Sequence, residues 1–178
     1  MNAHPRILGA GPVAIEVLAP VARFNLRVWP EDRGAAAEAF GVALPERVGQ
    51  GAVADGKSAW CLGPDEWLLH ADAARTAEIV EGFAAIRPDA PHSLTVISDR
   101  EITIGIEGAQ AAELLSVACP LNLARMEPGT AKRTLFDTAQ IVLLRDAPDR
   151  FRIEVWRSFF PHVHELLQIA NAELASGF

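Results

Sequence analysis

The chain has 178 residues, of which 50% are hydrophobic and 22% charged, with a formal net charge of −7. Such a composition buries a core and argues against disorder, and the acidic balance excludes nucleic-acid binding by phosphate neutralisation. The sequence opens without a basic-then-apolar leader, and no uncharged run reaches the ~18 residues of a membrane span, so the expected setting is cytoplasmic with no membrane partner.

In chain order, RILGAGPVA (6–14) comes first. It sets Gly9, Gly11 and Ala14 as a dinucleotide-binding turn would, and Glu31 and Asp32 follow about twenty residues on, where a ribose-binding acid would be wanted. That fingerprint needs a strand before the glycines and a helix after them. Only Arg6–Leu8 could supply the strand. Val13, Ile15 and Val17 alternate with Ala14, Glu16 and Leu18, which is strand periodicity. Phe24, Leu26 and Val28 predict a second strand, and the connecting APVAR leaves no crossover helix. Gly9 and Gly11 are therefore read as a leading loop.

GAAAEAFG (34–41) predicts a short helix with Ala36, Ala39 and Phe40 on one face, and VALPERVGQGAVADG (42–56) a mobile loop. SAWCLGPDEWLLH (58–70) predicts a hairpin with Pro64 second in a type I turn and Leu62 opposite Trp67. Residues 73–87 form an amphipathic helix through Ile79, Phe83 and Ile86. The second half repeats the order. SLTVISD leads into REITIGIEG, with Ile102, Ile104 and Ile106 on one side and Glu101, Thr103 and Glu107 on the other. The helix AQAAELLSVA follows, striped by Ala111, Leu114, Leu115 and Ala118, and then the strands TAKRTLF, AQIVLLR and FRIEVWR. A last helix carries Val163, Leu166, Leu167, Ala170 and Leu174. Ser158 is its expected cap, with Pro161 in its first turn. FNLRVWPEDRGAAAEAFGVALP parallels REITIGIEGAQAAELLSVACP, so the expected fold is α+β: two pseudo-repeated strand–helix–hairpin–helix units, mainly antiparallel sheets covered by helices. The whole chain, 1–178, is read as one domain with loose halves at about 13–90 and 92–175.

Chemistry-bearing residues are sparse. His162 and His164, two apart on a helix, diverge by about 200° and cannot share an ion. Cys61 and Cys119 sit in apolar stretches and read as buried free thiols, and no hydrolase elbow is present. Asp65-Glu66 and Asp99-Arg100-Glu101 read as turn charges with local ion pairing. Lys132, Arg133 and Arg157 form a small basic set that could hold a carboxylate or neutralise acids across the sheet. Trp156 shares a strand face with Arg152 and Glu154 and points outward, either into an interface or under a covering helix.

GPDEWLL (63–69), VISDREITIGIEGAQAAELLSVACPLNL (96–123), EPGTAKRTLFDTAQIVLLR (127–145) and FRIEVWRSFF (151–160) together resemble the gamma subunits of heterotetrameric sarcosine oxidase. The specific set is Cys119-Pro120-Leu121, Pro128-Gly129 before Arg133-Thr134, and Arg157-Ser158-Phe159. Asn122 and Phe160 depart from the pattern. The resemblance implies a wider group with the glycine-cleavage T-protein, and thus the fold of the folate-binding domain of aminomethyltransferases. Those relatives hold tetrahydrofolate with an acid ahead of an LIVYR-like run. Here IVLLR (141–145) is preceded by Ala139 and Gln140; Asp137 is the nearest acid, and Arg157-Ser158 replaces an Asn-Ala pair. The extra C-terminal domain of the larger relatives is not expected.

The resemblance implies a non-catalytic structural subunit of a complex that oxidises sarcosine to glycine, yielding formaldehyde or methylene-tetrahydrofolate and hydrogen peroxide. FAD, FMN, NAD and tetrahydrofolate would lie on its large flavin- and folate-binding subunits. No catalytic, cofactor-binding or metal residue is assigned to this chain. Its candidate interface is Trp156, Arg133, Arg157 and Phe159. The alternatives are a free-standing folate-binding one-carbon transfer or repair protein, a gamma-like subunit of another N-methyl amino acid oxidoreductase, and a self-associating binding module.

Overall fold

The structure is a computed structural model that describes residues 11–176; Arg6–Leu8 and Gly9 of the opening stretch lie outside them. Two compact units divide the chain, one of residues 20–98 and the other of 1–19 with 99–178.

In the 20–98 unit, strand β2 (Ala22–Val28) is followed by helix α1 (Arg33–Phe40), the strands β3 (Gly51–Ala54), β4 (Lys57–Gly63) and β5 (Glu66–Ala71), helix α2 (Thr76–Ile86) and strand β6 (His92–Val96). All strands pair antiparallel, in the order β3-β4-β5-β2-β6. Alternation along β2 sends Phe24, Leu26 and Val28 to one face, where they bury against Phe40 of α1 and Ile79 and Phe83 of α2. Helix α1 ends on Gly41 at φ 80, in the left-handed region, and the buried Lys57 donates from Nζ to the Phe40 carbonyl at 2.6 Å. A cation at a helix C-terminus meets the negative end of the dipole.

The expected mobile loop 42–56 is corrected here: residues 51–54 form β3, and Val42 and Leu44 are buried. Trp67 Nε1 donates to the Pro45 carbonyl at 2.9 Å, and Gly51 lies so close beneath the Trp60 ring that a Cβ has no space there. Two tryptophans fasten a segment whose Pro and Gly content predicts a free loop. The β4–β5 turn is also corrected. Cys61 pairs with Trp67 and Gly63 with Glu66, so Leu62 falls in a bulge instead of facing Trp67. Cys61 Sγ donates to the Gly63 carbonyl at 3.2 Å across that bulge.

The other unit repeats the plan. Strand β7 (Glu101–Glu107), helix α3 (Ala111–Ser116), strands β8 (Thr130–Phe136), β9 (Ala139–Ala147) and β10 (Arg150–Trp156), and helix α4 (Phe160–Ala175) correspond in order to β2, α1, β3, β4, β5 and α2. The sheet order is β1-β7-β10-β9-β8, with β1 (Ala14–Val17) against β7 as β6 is against β2. The first two strands, although consecutive, thus belong to different sheets. Ile104, Ile106, Phe136, Leu143, Phe151 and Ile153 form the core with α3 and α4. The α4 residue Asn171 accepts from Val13 N–H at 3.1 Å and donates to the Val13 carbonyl at 2.8 Å, tying the start of β1 to the helix.

Ser158 is not the cap of α4. The residue ahead of the helix is Phe159, in helical conformation at φ −96 and ψ −10, with no side-chain cap hydrogen bond; Ser158 lies one position too early to reach the first free N–H groups. Pro161 does sit in the first turn.

Candidate partner-docking surface

Cross-strand pairing in the second sheet places Glu101 opposite Trp156, Thr103 opposite Glu154, and Gly105 opposite Arg152. Partners directly opposite share a face, so these residues lie on the face away from α3 and α4. Val142 faces Glu154 and Arg133 faces Val142, so Arg133 lies on this face too, two strands from Glu154. The face is not uniformly wet. Thr103 and Glu154 are buried, and the Thr103 hydroxyl donates to the Glu154 carboxylate at 3.0 Å. Arg152 is held in a bidentate pair by Asp146 at 2.7 and 2.8 Å, on the rim of a depression of about 340 Å³ floored by Gly105.

Trp156 ends β10 at 44% exposure. The covering-helix alternative is removed, because α3 and α4 pack on the opposite face. The Arg100 guanidinium lies 5.3 Å from the Trp156 ring centre and pairs with the buried Glu101 at 2.7 Å. Arg157 N–H donates to the Arg100 carbonyl at 2.8 Å, and Arg157 Nε to the Asp99 carbonyl at 3.1 Å. The Asp99–Glu101 turn is thereby fixed to the end of β10. Phe159 N–H donates to the Trp156 carbonyl at 2.9 Å, which folds the chain back and leaves the ring 41% exposed. Of the expected interface residues, Trp156, Arg157 and Phe159 thus come together in one turn, whereas Arg133 stands apart on β8.

Residues of three other elements meet at the β8–β9 turn, a meeting that the sequence reading of Asp137, His162 and Cys119 missed. Asp137, at φ 53 in the two-residue β8–β9 turn, accepts from or pairs with His162 Nε2 of α4 at 2.8 Å, and that bond, followed by those of Thr138, holds the Asp137 carboxyl below its ordinary range. Asp137 N–H donates to Ala118 O at 2.8 Å. Between these elements lies a groove of about 560 Å³ lined by Val117, Cys119, Pro120, Leu135, Asp137 and Leu166. His162 and His164 take different neighbours, Asp137 and Gln168 respectively. Among the described residues Cys119 makes no bond to a histidine, and no group of three His, Cys, Asp or Glu is placed to hold a metal ion.

The position of a folate-contacting acid can be checked directly. Ala139 is buried in the helix-side core, and Gln140, exposed on the opposite face, carries no charge. Asp137 is engaged with His162 beyond the strand end. These residues do not fit the contact of a protein carboxylate with folate.

Against known proteins, the chain is 30% identical over 176 residues to the sarcosine oxidase subunit gamma of Corynebacterium sp. (strain U-96), covering 96% of this chain and 84% of that one. The chain belongs to the sarcosine oxidase gamma-subunit family. Its fold matches a chain of the heterotetrameric sarcosine oxidase of Corynebacterium sp. U-96, solved with pyrrole 2-carboxylate, at TM-score 0.86 and 27% identity, covering 96% of this chain and 89% of that chain. The glycine cleavage system aminomethyltransferase T of Bartonella henselae matches at TM-score 0.68 and 14% identity over 88% of this chain and 45% of its own, which shows the shared fold. No family model matches the sequence. Among the described residues no helix is long and apolar enough to cross a membrane.

Proposed function

We propose that this chain, as one gamma-like module spanning 1–178, is a non-catalytic structural subunit of a cytoplasmic heterotetrameric sarcosine oxidase. The observation that carries the reading is the family relationship, maintained over 96% of the chain in sequence and in fold. In this reading FAD, FMN, NAD and tetrahydrofolate belong to the large subunits. Those subunits convert sarcosine to glycine, release formaldehyde or load methylene-tetrahydrofolate, and reduce oxygen to peroxide. This chain docks through a surface that includes Trp156, Arg133, Arg157 and Phe159. Ala139 and Gln140, in place of a folate-contacting acid, favour this over a free-standing folate enzyme.

The test is co-expression with and without the large subunits. The complex should contain this chain in stoichiometric amount and form peroxide from sarcosine, while the chain alone should do neither that nor bind tetrahydrofolate stoichiometrically. A tight tetrahydrofolate complex of the chain alone would overturn the reading.

A further inference from the structure

Four strands edge the two sheets: β1 and β8 in one, β3 and β6 in the other. An edge strand offers unpaired N–H and C=O groups to any extended chain, and proteins blunt such edges with charge, proline, bulges or short strands. Three of the four are blunted here. β8 carries Lys132 and Arg133, and β1 and β3 are each four residues long. β6 runs five residues, HSLTV, without Lys, Arg, Asp, Glu or Pro and without a bulge against β2. Its Ser93, Thr95 and Val96 are exposed.

Pairing with β2 decides which main-chain groups of β6 face outward. Phe24 stands opposite Val96, and one step on, Ile97 N–H donates to the Arg23 carbonyl at 2.9 Å. Val28 N–H turns the other way, towards β5, and donates to the Asp65 carbonyl at 3.1 Å. Bonded and open pairs alternate along an antiparallel ladder. Ser93–Arg27 and Thr95–Asn25 are therefore bonded pairs, and His92, Leu94 and Val96 direct their N–H and C=O groups away from β2. Among the described residues those outward groups have no hydrogen-bond partner.

The edge complements itself. When a second copy lies antiparallel with Leu94 opposite Leu94, His92 meets Val96 at both ends, giving about six main-chain hydrogen bonds. A shift of two residues in either direction loses one of the bonded pairs. The strand brings no charged side chains together, whereas the same arrangement on β8 would crowd Lys132 and Arg133 against their copies. Val96 and Leu94 share the core face with their partners Phe24 and Leu26, so a continued sheet covers Val96, which is 47% exposed. Val80 of α2 adds apolar surface on this side. Phe83 sets α2 over His92 of β6, and Gly82 faces Ala39 of α1. Val80 stands about 200° around the helix from Gly82 and points away from α1, toward the β6 edge.

We infer that the free chain pairs with a second copy of itself along β6, antiparallel about a two-fold axis at Leu94, joining the two β6-edged sheets into one. The contact is isologous and closes at a dimer. It lies within the 20–98 unit, uses none of the docking residues at Trp156, and does not depend on the assembly reading above.

The experiment is sedimentation equilibrium of the full-length chain and of its Val96→Pro and Val53→Lys variants. Proline at 96 removes an outward N–H and leaves the β2 ladder its bonds, and Val53 is exposed on β3, the opposite edge of the same sheet. The natural chain and Val53→Lys should form dimers, and folded Val96→Pro should dissociate at least about tenfold more readily. A second measurement does not rest on Val96→Pro folding. Ser93 of one copy falls opposite Thr95 of the other at a Cα separation of about 4.5 Å, within disulfide reach, and the native Cys61 and Cys119 are buried. An oxidised mixture of Ser93→Cys and Thr95→Cys chains should therefore cross-link several-fold more than either variant alone. A monomeric natural chain overturns the inference, as does a dimer in which the mixture cross-links no more than the single variants. A dimer unchanged by folded Val96→Pro overturns it too. If that variant also lowers recovery of the large subunits, the edge serves an extended strand of theirs instead of a second copy.

Discussion

Gly11 and Asn171 show what the second of the opening glycines does. A Cβ at Gly11 would coincide with the side chain and carbonyl of Asn171, so the glycine is needed for close approach to α4 and not for a pyrophosphate. Gly11→Ala should cost about 1–3 kcal/mol through overpacking. Asn171→Ala, which leaves the buried Val13 N–H and carbonyl without their side-chain partner, should cost about 1–3 kcal/mol per group left unpaired. Urea unfolding of the isolated chain measures both, and a wild-type midpoint in either variant would contradict the account. Two titratable groups at the same scale set an acid sensitivity. Desolvation lowers the pKa of His164, and the His162 bond, then Thr138, lower that of Asp137. A group with a pKa lower in the folded than in the unfolded state contributes stability that is present above its unfolded pKa and lost as the pH falls through the folded one. For His164 the loss begins in the ordinary imidazole range and continues below it; for Asp137 it begins in the ordinary carboxylate range and continues below it. Unfolding midpoints between about pH 7 and about pH 5 should fall less steeply in His164→Phe. Asp137→Asn should flatten the curve only at more acid pH. An unchanged slope in His164→Phe would contradict the assignment.

Arg145 illustrates how one side chain organises an element. From the end of the IVLLR run it donates to the carbonyls of Leu123 at 3.0 Å and Ala147 at 3.3 Å, and to those of Met126 and Pro148, while lying 5.0 Å from the Phe151 ring centre. It clamps the turn before β8 to the β9–β10 hairpin. Arg145→Met should destabilise by about 1.5–3 kcal/mol, and Arg145→Lys should recover only a minor part, because one ammonium cannot fill a planar fork of several acceptors. Urea titration of the two variants checks this; full recovery by lysine would contradict it. Strands with period-two alternation, such as β2, β7 and β10, were legible in the sequence, as were the apolar stripes of α2 and α4. Less legible were features decided by distant partners. The loop at 42–56 is ordered by Trp60 and Trp67, the end of α1 by Lys57, and the Leu62 bulge by pairing in β4–β5. The candidate site divided in the same way. Trp156, Arg157 and Phe159 are neighbours in sequence and share one turn, whereas Val117, the Leu135–Asp137 stretch and His162 come from three separate segments whose meeting no local pattern signals.

At the scale of the whole molecule, the ten strands and four α-helices of the described residues form two units on one plan, βαβββα with an additional edge strand, in a member of the sarcosine oxidase gamma family. Within the second unit, buried polar pairs such as Thr103–Glu154 stabilise the sheet. The direct test is recovery of tagged chain from its native cells, with the co-purifying chains identified by mass and the eluate scanned for flavin absorbance. The account predicts large flavin-bearing subunits in stoichiometric amount and sarcosine-dependent peroxide in the eluate. A chain that elutes alone and colourless would contradict it.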